Sequence, residues 1–195
     1  GDRDPSKGEL PNLGETLKNY FNPNLRLIRD MPKPVVAAVN GAAAGAGANI
    51  ALACDIVLAA RSAKFLQAFA RIGLIPDAGG SWSLPRLVGP ARARGLAMLA
   101  EPLGAETAEE WGLIWKAVND ESLMAEAQKT AMKLANGPTL GLALTKQAML
   151  AAATNSLEEQ LLLEEQVQAR AGASDDYREG VSAFLEKRPA KFSGR

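Results

Sequence analysis

Lys33-Pro-Val-Val-Ala-Ala-Val-Asn-Gly-Ala-Ala-Ala-Gly-Ala-Gly-Ala-Asn-Ile-Ala-Leu-Ala-Cys-Asp55 is the stretch that decides how this chain folds. The apolar run Val35 to Val39 has the length and β-branched content of a buried strand. A turn of small residues follows, and then a helix over 45–53. Gly41, Gly45 and Gly47, with alanines between them, let a ligand approach the backbone with no side chain in the way. A helix start leaves N–H groups without intrahelical acceptors, and its dipole favours negative charge there. Such a turn suits a developing oxyanion. Further on, Ile75-Pro-Asp-Ala-Gly-Gly80 sets one carboxylate, Asp77, in a second glycine-rich turn. The two turns together point to enolate chemistry with a single acid/base group.

Working outward, the composition removes several alternatives. The 195 residues suit one domain with an appended helical part, and 47% hydrophobic content is ample for a core. Lys+Arg and Asp+Glu number 22 each, so the net charge is zero and a broad nucleic-acid footprint is not expected. The chain has no histidine. A Ser-His-Asp triad, a Cys-His pair or a histidine-bearing metal site is therefore excluded, and proton transfer falls to Asp, Glu, Tyr, Lys or Cys. One cysteine, Cys54, cannot form an internal disulfide, which fits a reducing compartment; it reads as a core residue of an apolar helix. No apolar run approaches the ~20 residues of a membrane span, and no signal-peptide pattern is seen. The expectation is a cytoplasmic protein with neither membrane nor nucleic acid as a partner. Gly1-Asp-Arg-Asp-Pro5 reads as a mid-protein loop, so a further segment is expected upstream.

Along the chain, strands are expected at 35–39, 55–59, 64–67 and 113–118. Helices are expected at 17–29, 45–53, 80–87 and 90–100, with a short one from Thr107, where Thr107 and Glu110 have capping-box spacing. From 121 the pattern is helical: 122–136, 140–153, a helix from a capping box at Ser156 and Glu159 to about 170, and 175–185 with an exposed tail. Strand–helix alternation ahead of a helical end indicates an α/β core over 1–120 and a helical region over 121–195. No repeat of fixed length is visible. Asp55 reads as a turn-bonding residue, and Trp82, Trp111 and Trp115 as core. Lys187, Arg188, Lys191 and Arg195 read as a solvated basic tail.

The segment 33–89 resembles the crotonase superfamily, also called the enoyl-CoA hydratase/isomerase family. The matching pattern is Lys-Pro-Val-x-Ala-x-Val-Asn-Gly, a glycine-rich helix start, Cys-Asp, Phe65, Ile-Gly-Leu-Ile-Pro-x-x-Gly-Gly and Leu-Pro-Arg-x-x-Gly. The resemblance runs on through Ala108-Glu-Glu-Trp-Gly-Leu113 and Tyr177-Arg-Glu-Gly-Val-Ser-Ala-Phe-Leu185. It implies an α/β spiral of ββα units with a C-terminal helical trimerisation region, and hence a homotrimer or a dimer of trimers. It also implies an acyl-CoA thioester substrate, with coenzyme A as part of that substrate and no separate cofactor or metal. The family holds an enolate oxygen with two backbone N–H groups. One falls on Ala46, flanked by Gly45 and Gly47; the other belongs to a segment upstream of this sequence.

Branches of the family differ in their carboxylates. Hydratases use two glutamates, whose places here hold Asn49 and Phe69. Asp77 stands where hydratases carry a small residue. Dienoyl-CoA isomerases pair such an Asp with a Glu near Phe69, and dehalogenases need a histidine. The pattern is most similar to the branch of ring-epoxide isomerases in phenylacetate breakdown. That implies conversion of ring-1,2-epoxyphenylacetyl-CoA to oxepin-CoA, a shift of a 3-enoyl-CoA double bond to position 2, or both. Asp77 would be the catalytic acid/base, with Gly45, Gly47, Asn49, Phe69 and Leu74 against the substrate. From spacing alone Asp77 is also a candidate helix cap. A hydratase, a dienoyl-CoA isomerase and a non-catalytic RNA-binding homologue remain the alternatives, although no helix shows the lysine comb that the last would use.

Overall fold

The computed structural model describes residues 12–195, so the loop expected at Gly1 to Pro5 lies outside the described residues. The described chain opens with α1 (Leu13–Thr16), a π-helical segment (Leu17–Phe21) and α2 (Asn22–Asp30). Asn12 caps this stretch by accepting from the Glu15 N–H at 3.2 Å, so the helix starts earlier than the expected residue 17. Pro32 and Pro34 end it, because proline cannot donate to a helical ladder and pushes its predecessor into extended geometry.

Three strand–helix units follow. The first is β1 (Val36–Val39), β2 (Ala42–Ala44) and α3 (Ala46–Leu52). The second is β3 (Ile56–Ala60), β4 (Lys64–Leu66), a 3-10 turn (Ala68–Ile72) and α4 (Gly80–Leu99). The third is β5 (Leu103–Gly104), α5 (Ala105–Glu110) and β6 (Lys116–Val118). One sheet has the order β1-β3-β6 and is parallel throughout, with Val36 opposite Ile56 and Leu58 opposite Lys116. The other has the order β2-β4-β5, with Ala42 opposite Lys64 in parallel and Lys64 opposite Gly104 antiparallel. In the first two units the first strands pair with each other and the second strands with each other; β6 then extends the first sheet and β5 the second, so the spiral is ββα, ββα and a closing β-α-β turn. The repeat is spatial: its connections differ in length, so no fixed period appears in the sequence.

Three expectations need correction. The small-residue turn contains a strand, β2, although alanine is a poor strand former; pairing with β4 overrides the propensity. The capping box expected at Thr107 is absent. α5 begins two residues earlier, and the Ala105 N–H is satisfied by the Ala63 carbonyl at 3.1 Å, so no side-chain cap is needed. Trp115 is 70% exposed and is no core residue, whereas Trp111 packs against the core. The two helices expected at 80–87 and 90–100 are present as the two arms of α4, separated by a kink at Gly89, with φ 77° and ψ 162°, just before Pro90.

Leu58, Leu84 and Leu123 form the centre of the core, each 2% exposed. Leu123 and Ala127 come from α6 (Leu123–Ala135), which follows a 3-10 turn (Asp120–Ser122) and lies against β1 and β3. Beyond it α7 (Thr139–Ala151), α8 (Leu157–Gly172) and α9 (Asp175–Leu185) pack in succession. The expected capping box of α8 is formed: Ser156 Oγ accepts from the Glu159 N–H at 3.3 Å, and Glu159 Oε2 accepts from the Ser156 N–H at 2.7 Å. Lys146 on α7 ties this helical region to the spiral. Its buried ammonium donates to Asp55 Oδ2 at 2.8 Å, to the Ile28 carbonyl at 2.8 Å and to the Lys33 carbonyl at 3.3 Å. Asp55 also accepts from the Val35 N–H at 2.7 Å, the turn bonding expected of it.

Lys187, Arg188, Lys191 and Arg195 are exposed, as expected of a solvated basic stretch, but the backbone that carries them is folded back. Buried Asp176 accepts from the Ser193 N–H at 2.6 Å and from the Gly194 N–H at 3.0 Å, and Arg188 grips Glu179 with two nitrogens at 2.6 and 2.9 Å. The chain folds back because these carboxylates collect N–H donors that would otherwise face water. Among the described residues, no helix is long and apolar enough to cross a membrane.

Candidate active site

The site is built on the turn that enters α3. Gly45 has φ 54° and ψ −127°, a region open in practice to glycine alone. Its N–H donates to the Leu66 carbonyl at 2.8 Å and continues the β2–β4 pairing to the edge of the helix. Ala46 is the first residue of α3, so its N–H has no carbonyl inside the helix to bond. A Cβ added at Gly47 would meet nothing within 4 Å, so open space adjoins this turn.

Asn49 lies one turn on, three residues after Ala46 and on the same face. It is 1% exposed. Its Nδ2 donates to the Asp77 carbonyl at 2.8 Å, and its Oδ1 accepts from Gln67 Nε2 at 2.8 Å. The Asp77 carbonyl also accepts from the Gly80 N–H at 2.8 Å. Asp77 is half-buried, with Oδ1 shielded from solvent. The cap of α4 is Gly79, two residues beyond Asp77, so Asp77 does not occupy the cap position. Gly80 is required where it stands, because a Cβ there would come within 2.6 Å of Asn49 Cγ.

Phe69 is 6% exposed and lies against Gly45, its ring edge 3.5 Å from where a Cβ would sit. It therefore walls the turn from behind. Leu74 is at the rim, 38% exposed, between the more exposed Ile72 and Ile75, and its N–H donates to the Phe69 carbonyl at 3.0 Å. The structure thus gathers Gly45, Ala46, Asn49, Phe69 and Asp77 into one cluster and leaves Leu74 on an apolar lip beside it. A cavity of about 350 Å³ adjoins the cluster between α2 and α4. Asn49, Ala78, Gly79 and Trp82 line it, and the Arg29 and Arg86 guanidinium groups lie over the Trp82 ring at 4.5 and 4.1 Å.

Gln67 is the residue that the sequence reading missed. It is 3% exposed, and its Oε1 has no hydrogen-bond partner among the described residues. A signal was present: Phe65, Gln67 and Phe69 alternate at strand spacing, so a polar side chain was bound inward and in need of partners. Cys54, after α3, packs on the core as expected. Burial, and then the charge of Asp55, push its thiol pKa up against the opposing pull of Lys146, so it stays a neutral thiol. Among the described residues, no group of three His, Cys, Asp or Glu side chains is placed to hold a metal.

Chemically, the cluster offers a helix-start N–H, one carboxylate and an apolar surround. Both acidic positions of a two-carboxylate site are filled by groups that cannot take up a proton. Residues 5–195 match the family model "Enoyl-CoA hydratase/isomerase". The chain belongs to the enoyl-CoA hydratase/isomerase family. Within that family it is 56% identical over 192 residues to 1,2-epoxyphenylacetyl-CoA isomerase of Escherichia coli strain K12, which covers 98% of this chain and 73% of that protein. It is 55% identical over 184 residues to a Rhodobacter capsulatus protein named "Probable enoyl-CoA hydratase", over 94% of this chain and 72% of that one. The fold matches the enoyl-CoA hydratase of Bacillus anthracis with a TM-score of 0.91 at 31% identity, over 96% of this chain and 73% of that one.

Proposed function

We propose that this chain is an acyl-CoA isomerase in which Asp77 is the single acid/base group and the Ala46 N–H is one donor to the thioester oxygen. The observation that carries the proposal is the company Asp77 keeps. Asn49 has its amide engaged on both sides, and Phe69 is packed against Gly45, so Asp77 is the carboxylate that the cluster offers. The 56% identity to an epoxyphenylacetyl-CoA isomerase supports the same reaction class.

For a 3-enoyl-CoA the steps balance with one carboxylate. Asp77 takes the proton from C2 and the C–H pair forms C1=C2 as the carbonyl pair moves onto oxygen, giving a dienolate; the oxygen pair then re-forms the carbonyl, C1=C2 becomes C2=C3, and the C3=C4 pair takes the proton back from Asp77 at C4. The product is the 2-enoyl-CoA. A thioester α-proton is far less acidic than a carboxylic acid, so the oxygen must be held as charge develops; losing one such donor costs about 2.7–4 kcal/mol. Phe69 and the apolar lip keep water from the dienolate. On the ring 1,2-epoxide of phenylacetyl-CoA the same donors would polarise the thioester while the ring C–O framework reorganises to the oxepin. The substrate brings its own coenzyme A, and no further cofactor enters these steps. We place the protein in the cytoplasm, within aromatic degradation. We also assign the helical region 121–195 to trimerisation, supported by the exposed apolar residues Val181, Phe184 and Leu185 on α9.

Hydration is the second reading, favoured by the 55% identical relative. It lacks a second group to position water. The test is to follow 3-enoyl-CoA isomerisation and crotonyl-CoA hydration side by side. Isomerisation should dominate, and Asp77→Asn should lower it by about 10²–10⁴-fold, the usual share of a general acid/base. Faster hydration than isomerisation would install the hydratase reading, and a near-normal Asp77→Asn rate would remove Asp77 from its role.

A further inference from the structure

The Asp77 carbonyl can only accept hydrogen bonds, and it takes two, from the Asn49 Nδ2 group and from the Gly80 N–H, each at 2.8 Å. That fixes the polarity of everything behind it. Asn49 must present its NH₂ to Asp77, so its Oδ1 faces Gln67, and Gln67 must answer with Nε2. Gln67 Oε1 is left buried with no partner among the described residues. A buried amide oxygen without a donor is costly, and folded proteins seldom keep one. The Asn49 amide also cannot drift, because Gly80 approaches it as closely as a residue without Cβ allows.

We infer that Asn49 and Gln67 form a one-way amide relay that positions Asp77 through its main chain, and that the relay demands a neutral amide at position 49. The inference rests on the proposed role of Asp77 and goes beyond it. Two donors on one carbonyl set the plane of the peptide that follows Asp77, and with it the direction in which the carboxyl leaves the backbone. A carboxylate at position 49 is an acceptor only. It would turn negative charge toward the Asp77 carbonyl and still accept from Gln67. The residue type at 49 therefore does more than withhold a second acid: it holds the first one in place. Asn49 and Gln67 are positioning residues, acting through Asp77.

The experiment uses the intact protein with a 3-enoyl-CoA, and reads kcat and KM separately across pH for the wild type, Asp77→Asn, Asn49→Asp, Asn49→Ala and Gln67→Met. At about pH 8, Asn49→Asp should lose about 10²-fold in kcat, the scale of a misplaced catalytic group, with KM close to wild type. An acid placed at so buried a position has a raised pKa. On acidification it regains a proton, and its O–H can again donate to the Asp77 carbonyl. The kcat ratio of Asn49→Asp to wild type should therefore climb roughly tenfold or more as pH falls, on the scale of one restored hydrogen bond. Asn49→Ala, which cannot donate at any pH, should show a ratio that stays flat.

Wild-type kcat in both Asn49 variants beside an inactive Asp77→Asn overturns the relay and leaves the isomerase reading standing. Equal, pH-independent losses in the two Asn49 variants also overturn it, since packing alone would then account for them. If Asn49→Asp does not fold, Gln67→Met decides: a roughly tenfold lower kcat at unchanged KM supports the relay, on the scale of one hydrogen bond, and a wild-type kcat overturns it. An active Asp77→Asn removes both proposals together.

Discussion

Replacing Lys146 with Met should cost more stability than any single surface change in this protein. The Lys146 side chain is 7% exposed, and its ammonium serves three acceptors: Asp55 Oδ2, the Ile28 carbonyl in the last turn of α2, and the Lys33 carbonyl between its two prolines. Removing one partner of a buried ion pair costs about 3–5 kcal/mol, because the other charge stays behind. Asp55 retains the Val35 N–H at 2.7 Å and is 24% exposed, so it is softened by one donor and some water. The expected loss is therefore at the low end, about 3 kcal/mol. For a chain of this length each kcal/mol lowers Tm by about 2–4 °C, which gives a fall of about 6–12 °C. Differential scanning calorimetry of Lys146→Met, Asp55→Asn and the double variant measures it. Neutralising Asp55 as well removes the stranded charge, so the double variant should be less destabilised than the sum of the singles, by about 0.5–3 kcal/mol. A Tm within about 2 °C of wild type for Lys146→Met, or strict additivity, would refute the claim that this pair joins the helical region to the spiral.

Gly80→Ala should destabilise by about 1–3 kcal/mol and lower kcat with little change in KM, since the new Cβ must push the Asn49 amide off the Asp77 carbonyl; calorimetry and the isomerase assay read the two effects. The return of the tail onto α9 should be acid-sensitive. The Arg188 guanidinium, and then the Lys191 N–H, hold the Glu179 carboxyl at about 2, below its usual 4.5, so the stabilisation is full above the unfolded value and fades as pH falls from there toward about 2. Protection from hydrogen exchange at residues 186–195, taken relative to the intrinsic rate at each pH, should fall through that window in wild type, and Glu179→Gln should show low protection at every pH; identical protection in the two proteins would remove Glu179 as the clasp.

Much of this architecture is legible because it is local. Val35 to Val39 reads as a strand and is one over Val36–Val39, although half-buried where a buried strand was expected; Gly89-Pro90 breaks a helix, and Ser156 with Glu159 formed the cap their spacing announces. What was illegible depends on partners far along the chain. Ala42–Ala44 is a strand because Lys64–Leu66 lies beside it, and Thr107 is no cap because the Ala63 carbonyl serves α5 first. The acidic residues that gather the C-terminal residues could not be matched to their donors from sequence, which shows the solvated charges and not the folded return of the backbone that carries them. In the candidate site, the glycine-rich helix start and the lone carboxylate Asp77 stood out from the residues themselves, and the family pattern put the donor on Ala46. Gln67 and Lys146 escaped because a buried polar side chain declares itself only when its acceptors are known.

Those two missed residues explain a feature of α3 that its own sequence does not. Seven residues long and mostly Ala and Gly, α3 has few side chains with which to pack, and an isolated helix of this length is marginal. Yet the Ala46 N–H must keep one direction if it is to meet a thioester oxygen. Large side chains that would lock the helix by packing are barred, because they would fill the space the substrate needs. The solution is polar and sits at both ends. Asn49 in the first turn is bonded to the Asp77 loop and to Gln67, and Asp55 just past the last turn is bonded to Val35 and Lys146. Each anchor joins α3 to a different part of the chain, so a shift of the helix would break hydrogen bonds made by the buried Asn49, Gln67 and Lys146 side chains. Ala48 and Leu52 pack α3 on the core, and the directional bonds at its two ends add to the hold on a helix kept small for access.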